Sequence, residues 1–471
     1  MHQRRPRASE AEPVMSSQAE TGGRPVLPAR LPGARDTSLP FALRTYRAAM
    51  SLARPALWLL LRARARRGKE DPARRFERYG IAGAARPQGD IVWLHAASVG
   101  ETNAVLPLIE RLLDARRDLH ILLTTGTVTS ASIAQHRLPQ RALHQYLPLD
   151  SGPYIRRFLD HWRPSLAVLT EQEIWPNLII EAHGRGIRLA LINARMSERS
   201  LLRWQSKPGV ARALFGKLEA VLAQNDKLAR ALAALGAVKV KAVGNIKIDA
   251  PLLPVDAAAT ASLAHLLADR PRFLAASTHP GEEKIVAAAH AIVRRTLPDL
   301  CTIIAPRHPH RGAELAAELV AQGHTVALRS RGELPGPAVD IYLADTIGEL
   351  GALYSVSRVA FIGGSLVDRG GQNAIEAVRH DSSVLVGPWR SSFVDIYDPL
   401  LAAGGALEVR SAEDIARHVL GWLQAPESRD TSAATAKAVL DRLSGGLDRT
   451  TEAVIDLLGD PPAPEPVRRR A

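Results

Sequence analysis

The chain alternates short apolar runs with longer amphipathic stretches, and it does so in two series. The first series of predicted strands runs from residues 91–95 to 220–223, and the second runs from 273–276 to 384–386. Between them, residues 249–254 contain two prolines and interrupt the rhythm. Alternation of strands and helices is typical of a parallel sheet with helical crossovers. The sequence therefore predicts an α/β fold with two doubly wound halves joined near residue 250.

Composition excludes several other classes of protein. Of the 471 residues, 46% are hydrophobic and 23% are charged, which is typical of a globular chain and not of a disordered one. A single cysteine, Cys301, excludes an intramolecular disulfide framework and any zinc module with several cysteines. It also fits a reducing compartment.

The positive charge lies beside the body of the protein. The net charge is +13, but residues 41–80 alone hold ten Arg and one Lys against three acidic residues. The rest of the body, residues 81–461, is close to neutral. Nucleic-acid-binding proteins usually carry their basic surface on the folded module itself. We therefore expect no nucleic acid partner and instead an anionic surface such as phospholipid headgroups.

Residues 41–67 predict a helix that lies in a membrane interface. Apolar residues run from Phe41 to Leu61, and four arginines, Arg44, Arg47, Arg54 and Arg62, fall on one side of a helical projection. No unbroken span of ~20 apolar residues is present, so a transmembrane helix is not expected. Pro55 should break or kink the helix. The alternative is a soluble helix packed on the body.

These patterns divide the chain into five segments. Residues 1–40 are predicted to be a disordered tail, and residues 41–80 a basic membrane-anchor segment. Residues 81–250 and 251–461 are the two halves, and residues 462–471 are a second basic tail. Ligands of doubly wound sheets bind at the carboxyl ends of the strands, so the cleft between the halves is the expected site.

In the first half, charged residues follow three predicted strands. Glu101 opens a helix after residues 91–95, where the helix dipole stabilises an anionic base; an ordinary first-turn Glu is the alternative. Glu171 and Glu173 follow the strand at 166–169 and suit catalysis or hydroxyl binding, or else a solvated loop. Arg195 follows the next strand and could meet an anion, or lie on the surface.

In the second half, the strand ends predict a phosphate site. Ser277 and Thr278 stand at a helix start, where hydroxyls and free N–H groups suit a phosphate, although simple capping explains them equally well. Arg307 and His308 follow the next strand and could clamp a phosphate or form a basic loop without a ligand.

The strongest local pattern is the glycine-rich segment 361–376. Two glycine pairs, 363–364 and 370–371, allow the backbone to approach a ligand, and Glu376 in the following helix can accept hydrogen bonds from ribose hydroxyls. The segment is neither a dinucleotide fingerprint nor a P-loop. Because no Asp-x-Asp pair and no His/Cys cluster with metal spacing is present, the predicted chemistry needs neither a metal nor a cofactor.

Together these motifs resemble the bacterial Kdo transferases, which move 3-deoxy-D-manno-octulosonic acid (Kdo) from CMP-Kdo to lipid A precursors. The resemblance extends from about residue 44 to about residue 458. The matching motifs are Glu77-Arg-Tyr-Gly80, His95-Ala-Ala-Ser-Val-Gly-Glu101, Tyr146-Leu-Pro-Leu-Asp150, Glu171-Gln-Glu-Ile-Trp-Pro-Asn177, Gly244-Asn-Ile-Lys-Ile-Asp249, Ser277-Thr-His279, Pro306-Arg-His308, Asp345-Thr-Ile-Gly-Glu-Leu350 and Gly363-Gly-Ser365.

The resemblance implies a GT-B fold, with an acceptor half followed by a donor half, and an inverting, metal-independent transfer at the cytoplasmic face of the inner membrane. It implies that Glu101 is the general base. The acceptor-binding residues expected on this basis are Ser98, Gly100, Glu171, Glu173 and Arg195. The expected donor-binding residues are Lys247, Ser277, Thr278, Arg307, His308, Gly364, Ser365, Gln372, Asn373 and Glu376. The expected partners are CMP-Kdo, a phosphorylated lipid A precursor and anionic phospholipid.

The chain departs from the family pattern in the donor half. Gln372 stands where the family usually has His, Ala374 and Ala377 where it has Pro, and Ser392 where it has Asn. These changes predict a modified donor site with a weaker hold on CMP-Kdo. They leave open a transferase that uses another activated sugar, and a non-catalytic paralogue.

Overall fold

The computed structural model describes residues 39–251, 255–267 and 270–459. The predicted tails, apart from residues 39 and 40, lie outside these ranges.

Two helices precede the first sheet where the sequence predicted one helix interrupted by a proline. α1 spans Phe41–Leu52 and α2 spans Arg54–Arg66. The break falls at Ala53, because Pro55 has no N–H and suits the first turn of a new helix better than the middle of a continuing one. Within the described ranges, no helix has both the length and the apolar character needed to cross a bilayer.

Polar contacts hold α1 on the body of the protein. The Tyr46 hydroxyl donates to Asp150 at 2.8 Å, and Arg47 pairs with Glu181 at 2.6 Å. Several apolar side chains of α1 and α2 nevertheless remain exposed: Phe41, Leu52, Trp58, Leu59 and Leu60. α1 is therefore docked through these polar contacts and the buried Leu43, and α2 buries Leu61, while much of the apolar surface of both helices faces outward.

Seven parallel strands form the first sheet. They are β1 (Asp90–Ala96), β2 (Leu119–Thr125), β3 (Ala142–Tyr146), β4 (Leu166–Thr170), β5 (Arg188–Ala194), β6 (Ala220–Ala223) and β7 (Val240–Ala242). The crossover helices are α3 (Val99–Ala115), α4 (Val128–Arg137), α5 (Gly152–Trp162), α6 (Pro176–Gly184), α7 (Glu198–Gln205), α8 (Pro208–Phe215) and α9 (Asp226–Ala234). The strand order is β3-β2-β1-β4-β5-β6-β7, so the direction of winding switches between β1 and β4.

The second sheet repeats this arrangement. Its strands are β8 (Arg272–Thr278), β9 (Cys301–Pro306), β10 (Val326–Leu328), β11 (Ile341–Leu343), β12 (Val359–Ile362), β13 (Ser383–Val386) and β14 (Ala406–Glu408). Its order is β10-β11-β9-β8-β12-β13-β14, with the switch between β8 and β12. The sheet is parallel throughout. This confirms the predicted α/β fold with two doubly wound halves.

Nine helices follow the linker within the described residues, eight with the second sheet and a last one that returns to the first half. They are α10 (Ala257–Leu266), α11 (Glu282–Arg294), α12 (Gly312–Ala321), α13 (Leu350–Val356), α14 (Ile375–Arg379), α15 (Val394–Ala403), α16 (Ala412–Gln424), α17 (Pro426–Leu443) and α18 (Gly446–Leu458). Three short 3₁₀ helices lie at Arg75–Tyr79, Pro309–Arg311 and Arg329–Arg331. Helices cover both faces of each sheet, so central strands such as β1 and β9 are buried on both sides and consist of continuous apolar runs.

The last helix returns to the first half. Val454 and Leu458 of α18 pack into the same apolar core as Ile109 of α3. At the start of α18, the linker residue Asp249 accepts the backbone N–H groups of Gly445 and Leu447, both at 2.8 Å. A carboxylate at a helix N-terminus is favoured by the helix dipole. The linker carries the chain from the first half to the second, and α18 brings it back. This contact therefore joins the two segments that pass between the halves.

The close approach of the β8 and β12 loops gives a stability prediction. A Cβ on Gly363 would lie 2.4 Å from the carbonyl oxygen of Ser277, which is backbone and cannot rotate away. Gly363→Ala should therefore destabilise the protein by about 2 kcal/mol or more in urea unfolding. The control is Gly421→Ala in the exposed interior of α16, where a Cβ meets nothing within 4 Å. It should stabilise by about 0.5–1 kcal/mol. Equal stability of Gly363→Ala and wild type would contradict the close approach.

Candidate active site

The carboxyl ends of the two sheets face one cleft. Arg195, which follows β5, and Lys247, in the linker, line the same small cavity as Ser392 and Asp395 of the second half. The halves also touch directly there, since the Asn225 side-chain amide donates to Asp395 at 2.7 Å. The predicted cleft is therefore present, and residues from both halves reach it.

Glu101 lies in the first turn of α3, beside the switch point of the first sheet. Its Oε1 accepts the Ser98 hydroxyl at 2.7 Å. Its Oε2 accepts the Ala97 N–H at 2.9 Å and the Thr170 hydroxyl at 2.8 Å. Ser98 is also the N-cap of α3. A carboxylate offers about four acceptor positions, so three donors fix this group and leave one position on Oε1. Gly100, beside it, is exposed, and a Cβ on this residue would meet nothing within 4 Å.

Glu171 begins the loop after β4 in a strained conformation. Its φ is +52°, a left-handed value that costs a non-glycine residue about 1 kcal/mol or more. Its carboxylate forms an ion pair with Lys247 and lies 3.5 Å from the Asn193 amide. Asn193, near the end of β5 where the pairing with β6 is irregular, is also left-handed, with φ +49°. Lys247, which was predicted among the donor-binding residues, therefore pairs with Glu171, which was predicted among the acceptor-binding residues.

Glu173 turns toward His95 at the end of β1. Its Oε2 accepts the Trp175 indole N–H at 2.7 Å and lies 3.5 Å from His95 Nε2. Burial raises the pKa of Glu173, but its contacts with His95 and Trp175 outweigh burial, so the net pKa is lowered. Glu173 is therefore an acceptor of hydrogen bonds at neutral pH.

Arg195 contacts Glu171 in the first half and lies near Asp395 of the second half. Its backbone N–H donates to the carbonyl of Glu171 at 3.3 Å. Burial raises the pKa of Asp395, while the charge of Arg195 and the Asn225 hydrogen bond oppose this effect. The partly buried guanidinium thus lies close enough to interact with a carboxylate across the cleft.

In the second half, a buried glutamate holds the glycine turn. Glu282, at the start of α11, has no exposed surface and accepts four backbone N–H groups. Its Oε2 accepts those of His279 and Gly364, at 2.8 and 2.7 Å, and its Oε1 those of Ser365 and Leu366, both at 2.9 Å. All acceptor positions of this carboxylate are occupied.

This contact corrects one expectation. The sequence predicted that the Gly364 and Ser365 turn binds the donor, but the structure directs the backbone N–H groups of both residues to Glu282. The Ser365 hydroxyl is used as well, since it donates to Ile362 O at 2.5 Å and accepts Gly387 N–H at 2.8 Å. The turn shapes the site; its amides are not available to bind an anion.

The last residues of β8 are mainly internal. The Thr278 hydroxyl, which is fully buried, donates to Glu283 at 3.1 Å, and Glu283 pairs with Arg311 at 2.8 Å. Ser277 is left-handed, with φ +57°, where the chain passes Gly363. Thr278 therefore supports the loop, and Ser277 lies at its turn.

An excess of positive charge surrounds the loops after β8 and β9. The His279 and His308 rings lie 5.7 Å apart, and His308 and His310 are also 5.7 Å apart. Burial first, and then neighbouring His and Arg charges, lower the pKa of both His279 and His308. Arg307 and Arg369 contribute to both effects, and neither has a carboxylate within 4 Å in the described part of the chain. This cationic group, Arg307, Arg369, His279, His308 and His310, suits an anion.

Gln372 contacts the cationic group directly. Its side-chain nitrogen lies 3.2 Å from His279 Nε2, and its backbone carbonyl accepts the Tyr397 hydroxyl at 2.7 Å. The amide therefore donates to His279 Nε2, which must be unprotonated to accept it. A histidine at this position would instead face a second imidazole.

Asn373 and Glu376 lie where the glycine-rich segment after β12 enters α14. The Asn373 amide lies 3.4 Å from Glu376, and its oxygen caps Ile375 N–H at 3.0 Å. Burial raises the pKa of Glu376, and Asn373 and Arg307 oppose this effect. In the described ranges, no group of three or more His, Cys, Asp or Glu side chains could hold a metal ion.

The structure thus gathers the predicted residues into two groups. Ser98, Glu101, Glu171, Glu173, Arg195 and Lys247 lie at the ends of β1, β4 and β5 and in the linker, and the remaining donor residues lie at the ends of β8, β9 and β12. Sequence reasoning missed the roles of His95, Thr170 and Glu282. Glu282 lay inside a motif that was interpreted as a phosphate site, with simple capping as the alternative, since nothing local indicates a partner 82 positions away.

Comparison with known proteins assigns this site to a family. Residues 73–250 match the family model described as 3-deoxy-D-manno-octulosonic-acid transferase (kdotransferase). The 3-deoxy-D-manno-octulosonic acid transferase of Bordetella pertussis is 36% identical, over 86% of this chain and 97% of that protein. That of Haemophilus influenzae is 34% identical, over 85% and 93%. A glycosyltransferase structure from Rickettsia africae shares the fold, with TM-score 0.53 and 13% identity, over 79% of this chain and 100% of that one.

The contacts of Glu282 predict that replacing one of its carboxylate oxygens by an NH₂ group strongly lowers the stability of the protein. In Glu282→Gln an NH₂ group replaces one oxygen and faces N–H donors it cannot accept from. Buried donors then lose their partner, at about 1–3 kcal/mol each. We expect a loss of stability of at least about 2 kcal/mol in urea unfolding. Glu314→Gln, exposed on α12, is the control and should change little. A fully stable Glu282→Gln variant would contradict the role assigned to this carboxylate.

Proposed function

This chain belongs to the 3-deoxy-D-manno-octulosonic acid transferase family, and we propose that it transfers Kdo from CMP-Kdo to a phosphorylated lipid A precursor. Its two facing halves form the GT-B fold of a glycosyltransferase. The observation that carries the proposal is the contrast across the cleft. A carboxylate with one open position stands on one side, and an excess of Arg and His stands on the other.

Glu101 is the proposed base. Its open Oε1 position receives the proton of an acceptor hydroxyl, and the hydroxyl oxygen attacks the anomeric carbon of Kdo. As the new C–O bond forms, the bond from that carbon to the CMP phosphate oxygen breaks, and its electron pair leaves with CMP. Attack opposite the leaving group inverts the anomeric carbon. CMP needs little acid catalysis, so a positioned base and a held phosphate suffice.

The cationic group is the proposed phosphate site. Arg307 and Arg369 have no carboxylate partner within 4 Å in the described residues, and their charges already depress the pKa of His279 and His308. An anion placed there relieves this repulsion. The donor phosphate therefore binds through side chains on the β8 and β9 loops and at Arg369, and the glycine turn contributes shape.

The acceptor reaches the site from a membrane surface. The exposed apolar side chains of α1 and α2 stand beside arginines, and Arg62 lies 5.2 Å from the Trp58 ring. Basic amphipathic helices bind anionic interfaces. We place the protein peripherally on the cytoplasmic face of the inner membrane, with this segment as its anchor.

Gln372 favours one alternative, a transferase for a different activated sugar. Gln372 stands where the family pattern has a histidine, and its side-chain amide contacts His279. The direct experiment incubates the full chain with CMP-Kdo and a tetraacyl lipid A precursor and measures the lipid mass, with other nucleotide sugars in parallel. A lipid that gains Kdo supports the proposal, and a gain only from another donor favours the alternative. An unchanged lipid with every donor rejects both transfer reactions.

The Glu101→Gln variant tests the base. Turnover should fall by roughly 10²-fold or more, because a positioned base contributes about that much. The KM for CMP-Kdo should stay constant, since Glu101 belongs to the acceptor half. Glu110→Gln, exposed on the same helix, is the matched control. Near wild-type turnover in Glu101→Gln would transfer the base role to Glu171.

Acidic pH should tighten donor binding. Because the pKa of His308 lies below its usual value, the ring is neutral near pH 7.5 and gains its charge only as the pH falls. Each added positive charge attracts the donor phosphate, so the KM for CMP-Kdo should decrease as the pH falls below about 6.5, the ordinary value for histidine. His308→Gln should flatten this dependence, whereas His265→Gln, exposed on α10, should not. A KM that rises on acidification would place the phosphate elsewhere.

A further inference from the structure

His95 has a role that the transfer mechanism leaves unassigned. The side chain stands near the carboxyl end of β1 and is only 1% exposed. Its Nδ1 lies 3.0 Å from both the carbonyl and the hydroxyl oxygen of Thr124. These two contacts decide which nitrogen carries the hydrogen.

Thr124 fixes the tautomer of His95. Its hydroxyl accepts the Trp93 indole N–H at 2.8 Å and donates its own hydrogen to the Leu94 carbonyl at 3.3 Å. The hydroxyl oxygen can accept a hydrogen bond from His95, and the Thr124 carbonyl 3.0 Å from Nδ1 can only accept one. A hydrogen on Nδ1 satisfies this carbonyl, so we assign the ring hydrogen to Nδ1 and leave Nε2 as the other ring nitrogen.

Nε2 is the unpaired end of the ring. It is buried and has no hydrogen-bond partner among the described residues. The nearest carboxylate oxygen, Oε2 of Glu173, lies 3.5 Å away, which is longer than a normal hydrogen bond. The Trp175 indole N–H donates to this oxygen at 2.7 Å, and the Glu173 side chain is 15% exposed. Buried polar atoms without partners are rare and call for an explanation.

The chemistry of the two groups selects a ligand. A phosphate has only acceptor oxygens and a negative charge, so Glu173, with Glu171 two residues before it and Glu101 nearby, disfavours it. A hydroxyl both donates and accepts. It can donate to Glu173 while accepting from a protonated Nε2, or donate to a neutral Nε2. A neutral, hydroxyl-bearing ligand therefore fits both states of the ring.

The site lies next to the proposed base. The Thr170 hydroxyl is 2.9 Å from the His95 carbonyl and 2.8 Å from Glu101 Oε2, so one side chain touches both. We propose that His95 Nε2 and Glu173 together bind a sugar hydroxyl of the acceptor, beside the hydroxyl that Glu101 deprotonates. The inference rests on the proposed function and extends it to one substrate contact.

Two substitutions separate the ends of the ring. In His95→Asn, the short amide can replace Nδ1–H and keep the Thr124 bond, but nothing replaces Nε2. In His95→Gln, the longer amide reaches the position of Nε2. We expect His95→Asn to raise the acceptor KM about tenfold, as the loss of one hydrogen bond implies. The KM for CMP-Kdo should stay constant, and His95→Gln should recover part of the loss.

His290 offers a matched control. It is also 1% exposed, its Nδ1 lies 2.8 Å from the Thr302 hydroxyl, and its Nε2 is likewise unpaired. It stands near the end of α11 beside the first residues of β9, which is the opposite end of its sheet from the cleft. His290→Asn should leave the acceptor KM unchanged.

The outcomes distinguish the two proposals. A wild-type protein that transfers no Kdo rejects the proposed function. An active wild type with an unchanged acceptor KM in His95→Asn rejects only the inference. The acceptor is also tested without its phosphates. If the effect of His95→Asn disappears with that acceptor, Nε2 binds phosphate and the hydroxyl assignment is wrong.

A second measurement, on the wild-type protein, tests the inference even if His95→Asn fails to fold. In wild-type protein with ¹⁵N-labelled histidine, adding the tetraacyl precursor in detergent micelles should shift the His95 Nε2 resonance and affect Nδ1 less. The folded His95→Gln variant identifies the signal by its absence. An Nε2 resonance that stays constant at saturating acceptor overturns the inference.

Discussion

Each half of the molecule depends on one glutamate at the start of the helix that follows its central strand. Glu101 follows β1 and reaches Thr170 at the end of β4; Glu282 follows β8 and reaches the Gly364 turn after β12. In both sheets the two strands flank the switch point. Such a carboxylate joins two loops that are distant in sequence, and it suits the positive end of a helix dipole. Glu101 and Glu282 therefore position the loops on the two sides of the cleft.

The two glutamates differ in how many donors they meet, and this difference separates structure from chemistry. Glu282 accepts four backbone N–H groups and has no exposed surface, so it has no position left for a proton from a substrate. Glu101 accepts three donors, two of them hydroxyls. Its fourth position is open. Both are first-turn glutamates in the sequence, and only the count of donors supplied by other segments distinguishes them.

The sequence predicted the central strands because burial on both faces makes them continuously apolar. It missed β3, β7 and β14, which are edge strands with polar or exposed residues, such as His144 in β3 and Lys241 in β7. The same limit applies to the site. Strand-end charges such as Glu171 and Arg307 stand out in the pattern, whereas the use of the Gly364 amides by Glu282 depends on contacts between loops. Local patterns carry no information about such contacts.

The charges around the cleft also orient the substrates. Glu101, Glu171 and Glu173 make the first side unfavourable for phosphate, although Lys247 neutralises Glu171. The cationic group makes the second side favourable for it. In the proposed reaction, the donor phosphate therefore binds to the second half, and neutral hydroxyls bind to the first. If the acceptor is the phosphorylated lipid proposed above, its phosphates must then lie away from these three carboxylates. The proposal therefore orients the acceptor with its hydroxyls toward Glu101 and its phosphates on the far side of the carboxylates.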